Sequence, residues 1–172
     1  PISASCSRDR SLPLTDRPLN DFETRTLDNI ATHGWSALHV FDPDGLGAEF
    51  SYSVGFTQTL GAPEFIVFGL PKDLRHYMLS EVFRQIKAGC TAAPGQRWHN
   101  LIEGFDCVGM AATDPELFTE YATSANWFWR HQGHTGHPDV IQLVWPGSKD
   151  GLFPWDDGCS PDVIAAQPRL WA

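Results

Sequence analysis

A strict alternation of large apolar and small residues over residues 49–56 most restricts how this chain can fold. Phe, Tyr and Val side chains occupy every second position there, and Ser or Gly fills the positions between them. Because successive side chains of a strand point to opposite faces, this period of two predicts a β-strand with one apolar face. Residues 35–41 also have the composition of a strand, and residues 42–47 (Asp-Pro-Asp-Gly-Leu-Gly) are typical of a turn. We therefore predict a β-hairpin whose apolar face packs against other elements.

Strand and helix patterns follow one another irregularly in the rest of the chain. Short apolar runs indicate strands, and apolar residues three or four apart indicate helices. Outside the hairpin, the predicted elements are a helix at 20–33, a strand at 64–69, a helix at 71–88, a loop at 90–104, a strand at 105–112, a helix at 113–130 and a strand at 140–145. Residues 146–172 are predicted to be mostly loop, with a short helix near 161–166. This order predicts an α+β fold with a mixed sheet of about five strands, about three helices and a long Trp- and Pro-rich C-terminal segment.

The predicted domain organisation is simple. The chain has 172 residues, the size of one ordinary domain. Residues 1–19 are rich in Arg, Ser, Pro and Asp without periodicity, and we expect them to form a flexible N-terminal arm. Residues 20–172 are expected to form a single α+β domain.

Charge and composition exclude several classes of function. The chain has 12 Lys and Arg against 21 Asp and Glu, a net charge of −9, which argues against binding to nucleic acid or to anionic lipid. No apolar run is long enough to span a membrane, and no secretory signal pattern is visible. The four cysteines are scattered without a Cys-x-x-Cys motif, which favours reduced thiols and a cytoplasmic location. The expected partner is a small molecule or a protein, with a basic protein or a second copy of the chain in a homodimer as candidates.

Three histidines lie within seven residues, at His131, His134 and His137. Neutral imidazole is a common ligand for zinc and iron, and the intervening glycines would allow the three side chains to converge. A fourth ligand could come from His99, Cys159 or an aspartate. The spacing is not a usual zinc-binding pattern, and the alternative is a helix C-terminus at His131 followed by exposed loop histidines.

Tyr52 and Glu64 are the candidate catalytic acid or base residues. Tyr52 shares its strand face with apolar residues, so a buried hydroxyl there needs a hydrogen-bonding partner. Glu64 directly precedes an apolar strand, and desolvation of its carboxylate would raise its pKa into the range useful for proton transfer. The alternative places Tyr52 in the core with a satisfied hydroxyl and Glu64 at an exposed strand start.

The C-terminal segment supplies the remaining ligand-binding candidates. Trp145 and Trp155 adjoin prolines, and such rigid aromatic platforms can stack on a ring, a sugar, a flavin or a haem. Gln142 lies in an apolar strand, where its amide either binds a ligand or satisfies the backbone of the C-terminal segment. We expect a cleft between the sheet and this segment, lined by these three residues together with Tyr52 and Glu64.

Seven short motifs follow one another along the chain. In order, they are His33-Gly34-Trp35, Phe50-x-Tyr52-x-x-Gly55, Pro63-Glu64-Phe65, Phe68-Gly69-Leu70, Gln142-x-x-Trp145-Pro146, Gly151-x-Phe153-Pro154-Trp155 and Gln167-Pro168-x-Leu170. Together they resemble a widespread bacterial family of small proteins known as the domain of unknown function number four-two-six-two. The resemblance spans residues 25–171 and implies a compact bacterial cytoplasmic domain, but no activity. The chain departs from the family pattern in its three histidines and in having Gly147 after Trp145-Pro146.

Familiar signatures of serine hydrolases, P-loop proteins, dinucleotide-binding domains and zincins are absent from the sequence. We therefore favour a non-catalytic binding or interaction module. A metal-dependent enzyme, hydrolytic or oxidative, that uses the three histidines is the first alternative, and a flavin or haem binder is the second. Whether the protein is an enzyme stays open at this level.

Overall fold

The computed structural model describes residues 17–172, so most of the predicted N-terminal arm lies outside the described residues. Within them the chain forms six strands, which are β1 (Ser36–Val40), β2 (Phe50–Val54), β3 (Glu64–Phe68), β4 (Arg97–Ile102), β5 (Phe105–Ala111) and β6 (Val140–Val144). The helices are α1 (Asp21–His33), α2 (Phe56–Leu60), α3 (Lys72–Lys87), α4 (Thr123–His131) and α5 (Pro161–Ala165), with a π-helical turn at Leu117–Tyr121. No helix among these is both long and apolar enough to cross a membrane.

The strands form one mixed sheet in the order β1-β2-β3-β6-β5-β4. The β3–β6 pair is parallel, and the other four pairs are antiparallel. The predicted hairpin is confirmed as β1 and β2, and strand 64–69 is central and buried on both faces, as its continuous apolar run indicates. The α+β class is thus confirmed, with one strand more than the expected five.

Apolar side chains bury both faces of this sheet. On one face, α3 contributes Met78, Leu79 and Val82 to a cluster with side chains of β3 and β6. On the other face, α1, the π-helical turn and α4 pack on the apolar side chains of β2. Because the strands alternate, Phe50, Tyr52 and Val54 point to this second face, and the serines of β2 point toward α3.

Local signals explain both ends of α1. The side chain of Asn20 accepts a hydrogen bond from the Glu23 backbone, and Glu23 in turn accepts one from the Asn20 backbone, which forms a complete capping box. Gly34 ends the helix in the left-handed conformation at φ 87°. The predicted helix at 20–33 is therefore confirmed to within a residue.

The predicted loop at 90–104 was wrong, because it contains the edge strand β4. Its apolar residues do not alternate regularly, since Asn100 adopts a positive φ of 64° and the register with β5 shifts between Trp98 and Ile102. A bulge of this kind interrupts the period of two that identifies a strand. The sequence pattern therefore shows a loop where the structure has a bent strand.

Two other predictions about helices were wrong. Residues 56–60 form α2, which the sequence pattern assigned to the end of a strand and a loop. The predicted helix at 113–130 is divided into the π-helical turn and α4, and no helix begins at Thr113. Its backbone nitrogen donates instead to the Leu170 carbonyl oxygen at 2.7 Å, so the C-terminal segment occupies the place where the helix would begin.

Candidate functional site

A cleft of about 400 Å³ opens beside the edge strand β1, between the end of α1 and the first turns of α3. We call it the β1–α3 cleft. The residues that line it are Asn29, His33, Trp35, Ser36, Ala37, His39, His76 and Ser80. Three of these eight are histidines, in a chain with seven histidines in all. The cleft exists because α3 covers the centre of the sheet and leaves the outer strand partly open.

His39 joins this cleft to a buried polar cluster. It lies opposite Ser51 in the β1–β2 pairing, and its Nδ1 is 2.6 Å from the Ser51 Oγ. Ser51 is fully buried, and its Oγ accepts a hydrogen bond from the Arg75 Nε at 2.8 Å. The half-buried imidazole of His39 is thus linked through one hydroxyl to a guanidinium inside the protein.

Arg75 is a buried arginine, with 1% of its surface exposed. Its Nη1 donates to the carbonyl oxygens of Gly69 and Leu70 at 3.0 and 2.6 Å, and lies 3.6 Å from a carboxylate oxygen of Glu49. Its Nη2 is buried and has no hydrogen-bonding partner among the described residues. The guanidinium therefore holds the β3–α3 connection in place and keeps a positive charge behind the cleft.

Burial lowers the pKa of His39 to about 4, assisted by electrostatic repulsion from His76, Lys72 and Arg75 and opposed by Asp73. The imidazole is therefore neutral at pH 7. A neutral imidazole has one donor and one acceptor nitrogen, which is a suitable arrangement for directional hydrogen bonding to a ligand.

Aromatic contacts form the wall of the cleft. His76 stacks on Trp35 with ring centroids 5.8 Å apart and lies 5.6 Å from His39. Trp35 stacks in turn on Phe83, which anchors it in the core. The three cleft rings therefore form a continuous aromatic wall with polar edges, of the kind that small-molecule sites use.

The predicted acid or base Glu64 is instead bound inside the protein. It is 1% exposed, and one carboxylate oxygen accepts from the backbone nitrogens of Gly55 and Thr57 and from the Thr57 hydroxyl at 2.8–3.2 Å. The other oxygen accepts from the Ser53 hydroxyl at 2.5 Å. Burial raises the pKa of Glu64, and these hydrogen bonds oppose the shift. The carboxylate connects the start of β3 to the start of α2.

The other predicted ligand-binding residues also make internal contacts. Tyr52 is 2% exposed, and its hydroxyl oxygen accepts from the backbone nitrogen of Ser124 at 3.2 Å. Gln142 donates to the Pro168 carbonyl oxygen at 2.8 Å and accepts from the Leu170 backbone nitrogen at 3.1 Å. Gln142 therefore satisfies the backbone of the C-terminal segment, which is one of the two alternatives that the sequence leaves open.

The two tryptophans of the C-terminal segment do not form one platform. Trp145 donates from its Nε1 to the Phe68 carbonyl oxygen at 2.9 Å, whereas Trp155 stacks on Phe153 at 4.9 Å. The segment packs on the sheet through these contacts. Within residues 17–172, the β1–α3 cleft and two other clefts are lined by none of the predicted residues Tyr52, Glu64, Gln142, Trp145 and Trp155.

The structure does not bring the three candidate metal ligands together. The three histidines His131, His134 and His137 stack on different rings, those of Trp127, Trp129 and Phe118 respectively. The proposed additional ligand His99 pairs with Asp106 at 2.8 Å. Across residues 17–172, no three His, Cys, Asp or Glu side chains form a group that could hold a metal ion.

No sequence motif marks His39, His76 or Arg75 as a site residue. The sequence does contain one indication that Arg75 is buried. It lies three and four residues before the core residues Met78 and Leu79, and therefore on the same face of α3. A charged residue at such a position needs buried partners, and here it finds Ser51. The contact between β1 and α3 that forms the cleft has no signal of its own in the sequence.

Several motif glycines lie where backbones approach closely. A Cβ added to Gly55, at φ 110°, would lie 3.1 Å from Ile30 and 3.2 Å from the Gly34 carbonyl oxygen. A Cβ on Gly69 would lie 3.0 Å from the ring of Trp145. These motif residues are therefore needed for the packing of the fold.

Comparison with known proteins gives one match. A family model described as a domain of unknown function, DUF4262, matches residues 29–160. No curated protein and no solved structure matches the chain. The matched range includes every residue that lines the β1–α3 cleft and more than half of the 172-residue chain. The chain therefore belongs to the family of the domain of unknown function DUF4262.

Proposed function

We propose that this protein is a small-molecule-binding module whose ligand occupies the β1–α3 cleft. The observation that carries the proposal is a neutral, half-buried His39 that lines an open cleft and is held in place by a buried serine and arginine. Ordinary packing does not require this buried polar cluster, because Val67 opposite Ser51 and the α3 residues Met78 and Leu79 are apolar.

The dimensions and the chemistry of the cleft support a small ligand. A volume of about 400 Å³ lies within the usual range of pockets for small molecules. Its wall combines aromatic faces with the polar edges of His39, His76 and Ser36. Such a wall offers both stacking area and directional hydrogen bonds.

The location of this site differs from the cleft expected from the sequence. The C-terminal segment packs on the sheet through Gln142 and Gln167, whose amide oxygen accepts from the Trp145 backbone nitrogen at 3.0 Å. The binding role favoured by the sequence is therefore retained here for a different surface.

A ligand screen by nuclear magnetic resonance on the full chain tests this proposal. We expect binders in a library of small polar and aromatic compounds to shift the indole resonance of Trp35 and the imidazole resonances of His39 and His76. Ser80 is exposed and lines the cleft, so a Ser80→Trp variant fills the cleft without disturbing the core and abolishes binding.

The matched control makes the same substitution elsewhere. Ser148 is exposed in the turn after β6 and lines none of the three clefts, so Ser148→Trp is expected to bind as the wild type does. Binders that shift other surfaces, or that bind Ser80→Trp with unchanged affinity, would show that the function lies elsewhere.

A further inference from the structure

Assuming that the β1–α3 cleft is the binding site proposed above, we infer that its ligand carries an oxyanion, a carboxylate or a phosphate group, which accepts a hydrogen bond from the Nε2 of His39. The direction of the hydrogen bonds that join Arg75, Ser51 and His39 and the charges around them favour such a ligand.

The direction of this donor chain follows from the partners of Ser51. Arg75 has no acceptor atoms, so its Nε donates to the Ser51 Oγ. The only other partner of this hydroxyl within residues 17–172 is the Nδ1 of His39. If Nδ1 were protonated, the fully buried hydroxyl would have no acceptor for its own hydrogen, which is costly. The hydroxyl therefore donates to Nδ1.

This direction determines the tautomer of His39. With Nδ1 as the acceptor, the single proton of the neutral imidazole lies on Nε2. In the described part of the chain, Nε2 has no hydrogen-bonding partner and is not among the buried unpartnered atoms. His39 therefore presents a hydrogen-bond donor to the cleft, and a ligand group that meets it must be an acceptor.

The charges near His39 favour a negatively charged acceptor. Besides the imidazole of His76, the groups that act on it electrostatically are Lys72 and Arg75, which carry positive charge, and Asp73, whose opposing effect is the smallest of these. Glu49 lies against Arg75 and offsets part of its charge. Lys72 and Arg75 therefore outweigh Asp73 at His39, and this positive surrounding strengthens a hydrogen bond to an anion.

Titration of the full chain with three simple probes tests the ligand class. Sodium acetate, sodium phosphate and neutral acetamide are each added at constant ionic strength, and the Nε2 resonance of His39 is followed by nitrogen-15 spectroscopy. We expect saturable shifts with at least one oxyanion and none with acetamide. A response to acetate alone assigns a carboxylate ligand, and a response to phosphate alone assigns a phosphate ester.

Two variants of His39 separate the hydrogen bond from a general effect on structure. His39→Leu removes the donor and is expected to weaken oxyanion binding about tenfold. His39→Gln places an amide donor close to the position of Nε2 and is expected to retain binding within about threefold. Equal affinities of the two variants would overturn the inference.

The direction of the donor chain has its own test, independent of any ligand. If the Ser51 hydroxyl donates to Nδ1, it stabilises the neutral imidazole, and Ser51→Ala raises the pKa of His39. A fall in this pKa would show the opposite direction and refute the assigned tautomer.

The outcomes also separate this inference from the proposed function. If the cleft binds neutral compounds in the screen but neither oxyanion, the ligand class is wrong and the binding function stands. If nothing binds in the cleft, both fail.

Discussion

Replacing Glu64 with leucine tests whether this buried carboxylate has a structural function. Its loss leaves the backbone nitrogens of Gly55 and Thr57 without their acceptor, and leucine has similar bulk but no oxygen. A buried donor left unsatisfied costs about 1–3 kcal/mol, so the two together are expected to lower the free energy of unfolding by about 2–6 kcal/mol. This is a large part of the stability of an ordinary domain.

Glu64→Gln is the discriminating variant. It keeps one side-chain oxygen for the two backbone nitrogens, and mainly the Ser53 hydroxyl loses its acceptor. We expect a loss of only about 1–2 kcal/mol, measured by urea denaturation with tryptophan fluorescence and circular dichroism. The exposed Glu103→Leu serves as a control and is expected to stay within about 0.5 kcal/mol of the wild type. Equal stabilities of the leucine and glutamine variants at position 64 would refute the reasoning.

The wild-type protein and Glu64→Gln are also expected to differ in how the free energy of unfolding depends on pH, and the sign of this difference follows from the pKa of Glu64. Burial raises the pKa of Glu64 above its ordinary value of 4.5, so between that value and the higher folded pKa the folded state binds more protons than the unfolded state. Within this window the contribution of Glu64 to the free energy of unfolding therefore falls as pH rises. When urea denaturation is repeated across this window, we expect the free energy of unfolding of Glu64→Gln to lack the fall that Glu64 causes. The same slope of this free energy against pH in the wild type and in Glu64→Gln would contradict the prediction.

Three further predictions concern other parts of the fold. Gly55→Ala is expected to lower the free energy of unfolding by more than about 1 kcal/mol, since the residue has φ 110° and a Cβ there would lie 3.1 Å from Ile30. Urea denaturation measures this loss, and an unchanged free energy of unfolding would contradict the close approach. Gln142→Leu is expected to accelerate hydrogen exchange at the Leu170 amide, because this amide loses the acceptor that lies 3.1 Å away. An unchanged exchange rate would contradict this prediction. The imidazole of His39 is expected to titrate with a midpoint near 4 in nuclear magnetic resonance spectra, because its folded pKa is lowered to about 4. Its contribution to stability is then lost as pH falls from its ordinary value of 6.5 toward 4, and a midpoint near 6.5 would contradict the burial argument.

Much of the fold was predictable because the main signals are local. The hairpin follows from the alternation over residues 49–56, and α1 follows from its capping residues and Gly34. Strand β4 was not predictable, because its bulge at Asn100 breaks the period that identifies a strand. The start of α4 was misplaced for a different reason, since the backbone nitrogens of Thr113 and Asp114, where the helix was predicted to begin, donate to the Leu170 carbonyl oxygen of the C-terminal segment.

The site was less predictable than the fold, as Ser51 illustrates. Alternation places Ser51 and Ser53 on the polar face of β2, which in an antiparallel hairpin usually contacts water. In the structure this face is buried, and the two hydroxyls bind the guanidinium of Arg75 and the carboxyl group of Glu64. A pattern of polarity indicates which residues share a face, but it does not indicate which element covers that face.

The sequence by itself determined the strand alternation, the helix ends and the family of this chain, since each depends on neighbouring residues or on ordered short motifs. Only the tertiary structure decided which polar residues meet. His39, Ser51 and Arg75 are 12 and 24 residues apart along the chain, and they come together because α3 crosses the β1–β2 hairpin. The histidines at 131–137 are close in sequence, yet stacking on separate aromatic rings keeps their side chains from converging. Proximity in sequence constrains the backbone, whereas packing determines where side chains point.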